Sequence, residues 1–338
     1  MLFWIFILII LFILAKIRVK PNTLYHISLI SLILIAGFRT ISVGTDTLTY
    51  NLMFLEDISI GYYGYVEKGW VYLEKLAGQF TSDYNMFLCL ISTLTICPLA
   101  FVWNKYSTNK QLSLFIYFAT YYYCMSLNIM RQCLAMSIIL VAYKFILENK
   151  KLYFLLFVLI ASQIHTSAFF VLPVFFIERL KITNPKFVYA TIFLSLVIGI
   201  TPFYQLFSSF TGGYNNYMQD SRSSFYLFYL SNIAYSMIFL FVYNKSNEEL
   251  KSGLLFKIYF IGVIILNVFS QIKTGTRIAY NYTIVQTILL PFFFQGKQNL
   301  NAEKILTTYL ISYFMVMILK NSAEIYPYDT LLFEYLGF

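Results

Sequence analysis

"MLFWIFILIILFILAKIRVK", residues 1–20, sets the pattern by which the rest of the chain is read. An uncharged apolar run, 1–15, is followed at once by Lys16, Arg18 and Lys20. No basic region precedes the run and no small-residue cleavage site follows it. It therefore reads as a retained membrane span rather than a removable signal peptide. Composition says the same of the whole chain. Of 338 residues, 59% are hydrophobic and only 12% charged, against about a quarter charged in soluble domains. The 35 Phe and 30 Tyr exceed what one aqueous core can hide. The net charge of +9 would point to nucleic acid in a soluble protein. Here the bases sit in short clusters between apolar runs, so no nucleic-acid partner is expected.

Apolar runs recur near 1–15, 22–38, 84–103, 111–127 and 131–147, then 152–164, 166–178, 187–203, 225–243, 254–272, 278–294 and 305–319. The expected fold is an all-α integral membrane protein, one polytopic domain over 1–338 with about twelve transmembrane or re-entrant helices. The pair within 152–178 is short for a bilayer core of about 30 Å, and either spans or re-enters. Cytoplasmic loops are enriched in Lys and Arg. With the loop holding Lys16, Arg18 and Lys20 inside, alternation puts about two thirds of the 24 basic residues in the cytoplasm. Both termini and two long loops, 39–83 and 204–224, then lie outside. The first loop is long and aromatic enough to carry amphipathic surface helices, with Trp70 as an interface anchor.

The arginines divide differently from the lysines. Arg18 and Arg179 fall in cytoplasmic loops, whereas Arg39, Arg131, Arg222 and Arg277 fall outside. Arg39, Arg131 and Arg277 hug the ends of apolar runs, where a charge is costly and usually faces a cavity or a partner. "GFRTISVGTDTLTY" (37–50) joins Arg39 to Asp46 across Gly44, either as an anion site with a carboxylate or as a loop-stabilising pair. "SLNIMRQCLAMSI" (126–138) puts Arg131 and Gln132 at a helix start, which favours anions; snorkelling to headgroups is the plainer reading. "ASQIHTSAFFVLP" (161–173) centres on His165, an acid–base candidate or a satisfied structural histidine. In "KTGTRIAYNY" (273–282) Arg277 precedes Tyr280 and Tyr282, which suit either the interface or a sugar face. Arg222 beside Asp220 reads as a solvated pair. His26 is given no role, and Cys89, Cys97, Cys124 and Cys133 read as packing residues. No zinc spacing, phosphate loop or nucleophile elbow occurs, so neither a metal nor a cofactor is expected.

"FRTISVGTDTLTY", "EKGW", "NIMRQCLAMSI", "HTSAFFVLP" and "GTRIAYNYTIVQTILLP" occur in that order. Together they resemble the EpsG family of exopolysaccharide proteins, related to Wzy-class O-antigen and capsule polymerases, over about Phe38 to Pro291. The resemblance implies a multispanning glycosyltransferase-like fold in the bacterial cytoplasmic membrane, with its active site on the extracytoplasmic side. It implies transfer of a growing glycan from undecaprenyl diphosphate to a lipid-linked repeat unit. Membrane lipids, a chain-length regulator and a flippase are the partners it suggests. On this pattern Asp46, Glu67 and His165 are catalytic, with the general base among them open. Arg39, Arg131 and Arg277 take the diphosphate, and Tyr50, Gln132 and Tyr280 the glycan. A flippase for the same units is the alternative, but a flippase places charge at the membrane midplane or repeats between its halves. Neither pattern is visible.

Overall fold

The computed structural model describes residues 1–17, 22–59, 66–177, 179–201, 222–271, 273–294, 300–321 and 323–332. Asp220 and most of the 204–224 loop lie outside the described residues, as do the side chains of Asp57 and Arg222. Apart from one isolated antiparallel bridge between Arg39 and Thr330, every element among the described residues is helical. Three helices, Tyr84–Tyr106, Met130–Leu147 and Leu300–Lys320, are long and apolar enough to cross a bilayer. Shorter apolar helices accompany them, including Leu2–Lys16, Asn22–Gly37, Lys151–Ile164 and Pro185–Ile200. At 1.5 Å per residue, a 16-residue helix covers only about 24 Å of a hydrocarbon layer about 30 Å thick.

The chain forms two compact units, residues 1–169 with 290–338, and residues 170–289. In the first, α1 is Leu2–Lys16, α2 Asn22–Gly37, α3 Thr47–Ser59, α4 Lys68–Gly78, α5 Tyr84–Tyr106, α6 Lys110–Ala119, α7 Tyr122–Ser126, α8 Met130–Leu147 and α9 Lys151–Ile164. The 111–127 run is thus not one continuous helix. Tyr121 takes a left-handed φ of 69° and breaks it. Such a conformation costs a tyrosine about 1–3 kcal/mol and persists only where packing over-determines it. Tyr121 is completely buried, with Phe314 against its ring. The 278–294 run is broken as well, into Lys273–Thr283, Gln286–Leu289 and a 3-10 turn, Leu290–Phe294. After α9 the chain enters another 3-10 turn, Thr166–Val171, followed by the short helix Val174–Ile177.

In the first unit, Lys16, Lys105 and Lys150 lie at one end of the long helices, and Arg39 and Arg131 lie at the other, the arginine end. Lys16 of α1 pairs with Glu303, and Lys110 reaches Asn22 at 2.8 Å. Lys105, at the end of α5, and Lys150 both pair with Glu148, just past α8. Those two ammonium groups hold the Glu148 carboxyl down to about 2. At the other ends of the same helices lie Gly37 and Arg39, Asn85, and Arg131. The Leu300–Lys320 helix starts beside Lys16, and the chain after it reaches the arginine end.

That following segment, 323–332, is stitched to the 38–45 loop by its main chain. Thr40 N–H donates to Asp329 O, Gly44 N–H to Glu324 O, Thr45 N–H to Ala323 O and Leu331 N–H to Phe38 O, at 2.8–3.2 Å. Trp4 Nε1 donates to Ile325 O at 3.0 Å, and Tyr328 stacks on Phe3 and donates to Ile35 O. The second unit is held by a buried polar knot. Asn267 Nδ2 donates to Ser195 Oγ and Ser236 Oγ at 2.9 and 2.8 Å, joining three helices. Such bonds are the usual glue between helices in lipid, where apolar surface supplies little drive.

Removal of the chain beyond Asn321 should therefore free the 38–45 loop. In hydrogen exchange of the purified protein, the amides of Thr40, Gly44 and Thr45 should lose protection while those of α5 keep theirs. Unchanged exchange at all three would show that the tail does not hold the loop.

Candidate functional site

The arginine end is built on a turn that only glycine makes cheaply. Gly44 has φ +99°, and a Cβ there would meet Thr47 Oγ1 at 2.8 Å and Leu127 O at 2.9 Å. The turn lets Thr47 start α3 and brings the loop against Leu127, whose carbonyl accepts from Arg39 Nη2 at 2.9 Å and Thr47 Oγ1 at 3.3 Å. Arg39 Nη1 donates to Ala36 O. Asn85, early in α5, donates to Gly37 O and Arg39 O at 2.9 and 2.8 Å. Arg39 is only 1% exposed, and burial draws its guanidinium below the usual range. Of the arginines expected to face a diphosphate, this one is turned inward on the protein.

Arg131 is differently placed. It is the second residue of α8, and Nη1 makes an ion pair with Glu67 Oε2. Nε lies 3.5 Å from the Tyr50 hydroxyl, and the guanidinium sits 5.9 Å over the Tyr50 ring. Glu67, the residue before α4, accepts with its other oxygen from Thr166 N–H at 3.0 Å. One carboxylate thus ties α4, α8 and the end of α9 together. The pair is partly open to solvent, at 21% and 16% side-chain exposure. Among the described residues, Nη2 of Arg131 has no protein acceptor.

Behind the pair lies a feature that the sequence reading missed. Trp70 is completely buried, stacks obliquely on Tyr50 at 5.7 Å, and donates through Nε1 to Glu74 Oε1 at 2.6 Å. It is therefore a core residue, not the interface anchor expected of it. The exposed large apolar side chains of α4 are instead Tyr72 and Leu76, with Phe80 just beyond. Glu74 is itself fully buried, and its charge acts on Arg131. The signal was present: Glu67, Trp70 and Glu74 stand at i, i+3 and i+7, one face of a helix.

The other expected site residues gather around this core or lie in the second unit. Asp46 is half-buried just before α3, and its N–H donates to Asn128 Oδ1 at 2.7 Å. His165 caps the end of α9, half-buried, one residue from the Thr166 amide that holds Glu67. Tyr50 and Gln132 are buried. Burial lifts the Tyr50 phenol above its usual range although Arg131 pulls it back. Arg277 and Tyr280 are both half-buried on the Lys273–Thr283 helix of the second unit, three residues apart and so neighbours on one face.

The family model for the EpsG family matches residues 22–330, from the first turn of α2 to the tail that pins the arginine loop. The chain belongs to the EpsG family. This EpsG-family chain is 26% identical over 330 residues to the amylovoran biosynthesis protein AmsC of Erwinia amylovora, across 88% of its own length and 87% of that protein. No solved structure matches it.

Contact between α4 and α9 is made possible by Gly69, where a Cβ would fall 2.6 Å from both Cβ and O of Gln163. Gly69→Val should force the helices apart and pull Glu67 off Thr166. Overpacking of this kind costs about 1–3 kcal/mol, read as a lowered thermal midpoint of the purified protein. Tyr72→Leu, at a side chain 72% exposed on the same helix, should leave the midpoint nearly unchanged. Equal midpoints for the two variants would contradict the close α4–α9 approach.

Proposed function

We propose that this protein is a polysaccharide polymerase of the bacterial cytoplasmic membrane. It transfers a growing glycan from undecaprenyl diphosphate to a hydroxyl of an incoming lipid-linked repeat unit on the outer face. Membership of the EpsG family and likeness to an amylovoran biosynthesis protein support a role in polysaccharide biosynthesis. The cluster of Lys16, Lys105, Lys110 and Lys150 at one end of the first unit's helices supports the orientation, since lysine-rich ends favour the cytoplasm. The full span count, about twelve, belongs to the same proposal.

The observation that carries the chemistry is Arg131: cationic, held from one side by Glu67 and Tyr50, and with Nη2 left to face a ligand. The leaving group of such a transfer is a lipid diphosphate, whose charge grows as the anomeric C–O bond breaks. A pre-oriented guanidinium stabilises that charge without reorganising, and the start of α8 adds unpaired N–H groups. Glu67 orients the arginine. Asp46 or His165 takes the proton of the acceptor hydroxyl. Arg39 holds the loop that carries Asp46, while Arg277 is assigned to diphosphate and Tyr50, Gln132 and Tyr280 to glycan. The lipid-diphosphate donor carries its own activation, so the reaction needs no nucleotide.

A charge-assisted hydrogen bond contributes about 1.5–3 kcal/mol, which is roughly one to two powers of ten in rate. Arg131→Ala should remain in the membrane and lower long-chain product at least about tenfold on polysaccharide ladders. Arg131→Lys keeps the charge but loses the fork, and should stay clearly impaired. Full-length polymer from the lysine variant would reduce Arg131 to a point charge or a headgroup anchor.

A further inference from the structure

The turn between α7 and α8, residues 127–129, is held from both sides, and the hold fixes the side chain of Asn128. Leu127 O accepts from Arg39 Nη2 and Thr47 Oγ1, and the Asn128 main-chain N–H donates to Met125 O at 3.0 Å. From the facing loop, Asp46 N–H donates to Asn128 Oδ1 at 2.7 Å. A main-chain N–H can only donate, so the atom facing Asp46 is the amide oxygen. The Nδ2 hydrogens therefore lie on the opposite edge of the amide. Asn128 is half-buried, and among the described residues Nδ2 has no protein acceptor. Asparagine this close to a helix start ordinarily caps it. Here α8 has no side-chain cap, and the oxygen that could supply one is engaged by Asp46 instead.

We infer that Asn128 binds the substrate, donating through Nδ2–H to a phosphate oxygen of the lipid diphosphate beside Arg131. The inference rests on the polymerase reading above. Asn128 stands three residues before Arg131, in the turn that leads into α8. Its partner Asp46 belongs to the same neighbourhood, since the Asp46 charge acts on Tyr50, the ring beneath the Arg131 guanidinium. Asn128 thus joins the Asp46 loop to the start of the helix that carries Arg131. Arg131 is paired with Glu67, so a doubly negative diphosphate needs donors beyond that one cation. An amide supplies them without charge, and leaves no uncompensated cation partly buried when the substrate is absent. In sequence Asn128 reads as an ordinary turn residue. Only its contact with the Asp46 main chain shows which edge of the amide is left to donate.

Two substitutions separate a substrate contact from a support for the loop. Asn128→Asp keeps an oxygen for Asp46 N–H but puts a negative oxygen where the donor was, and Asn128→Ala removes both. In hydrogen exchange of the purified full chain, the Asp46 amide should stay protected in the aspartate variant and lose protection in the alanine variant. Lost protection with aspartate, or kept protection with alanine, would overturn the pairing that orients the amide. Binding is read on the same proteins by native mass spectrometry, with undecaprenyl diphosphate as the probe. Loss of a hydrogen bond to a charged group weakens binding roughly tenfold or more. The alanine variant should therefore bind at least about tenfold more weakly than the unsubstituted protein, and the aspartate variant, which also repels phosphate, more weakly still. Undiminished binding by either variant would overturn the inference; with aspartate it would leave Asn128 a support for the loop. Weakened binding of a lipid-linked repeat unit but not of undecaprenyl diphosphate would move the contact to glycan and overturn it equally. An unsubstituted protein that does not bind undecaprenyl diphosphate would overturn the polymerase reading instead.

Discussion

The ion pair between Arg131 and Glu67 is the constraint on which the arginine end depends. It joins α8, a helix long enough to span, to α4, which belongs to the long connection between α2 and α5. Because Glu67 also accepts from Thr166 N–H, one carboxylate fixes the end of α9 at the same point. Loss of either partner would leave a partly buried charge uncompensated, which costs several kcal/mol when water is fully excluded and less here, where both side chains keep some exposure. The same pair explains why a partly buried arginine still has donors for a ligand. Its charge is balanced by one carboxylate on one edge of the fork, and Glu74 lies behind.

Around that pair the main chain does most of the holding. Leu127 O, Gly37 O and the Arg39 carbonyl each accept from a side chain that arrives from a different helix or loop. In a bilayer-embedded bundle, irregular backbone survives only where it finds such partners. The tail 323–332 serves the same end, because the 38–45 loop has no helix to satisfy its N–H groups. Arg39 belongs to this scaffold: its position at the mouth of α2 looked functional in sequence, and its donors go to carbonyls.

Much of the architecture was legible because its causes are local. Apolar runs bounded by lysines marked helix ends, and the structure places Lys16, Lys105 and Lys150 beside Glu303 and Glu148 as that pattern implies. The Gly44 turn and the helix start at Arg131 were likewise written in short stretches. What stayed hidden depends on distant contacts. Nothing near Tyr121 signals a break, since aromatic packing rather than glycine or proline stabilises its φ of 69°. The pairing of Thr40 with Asp329 joins residues nearly a chain length apart. Trp70 resembled an interface anchor because an amphipathic helix offers tryptophan two faces, and only its Nε1 contact with Glu74 tells them apart.

The transfer itself is tested most directly in vesicles that hold the purified protein, lipid-diphosphate-linked repeat units and no nucleotide sugars. Growth of a glycan ladder is expected, with one lipid diphosphate released for each new linkage, and with Arg131→Ala suppressing ladder and release together. Units that cross the bilayer intact with no linkage formed, or a ladder indifferent to Arg131, would contradict a polymerase built on that arginine.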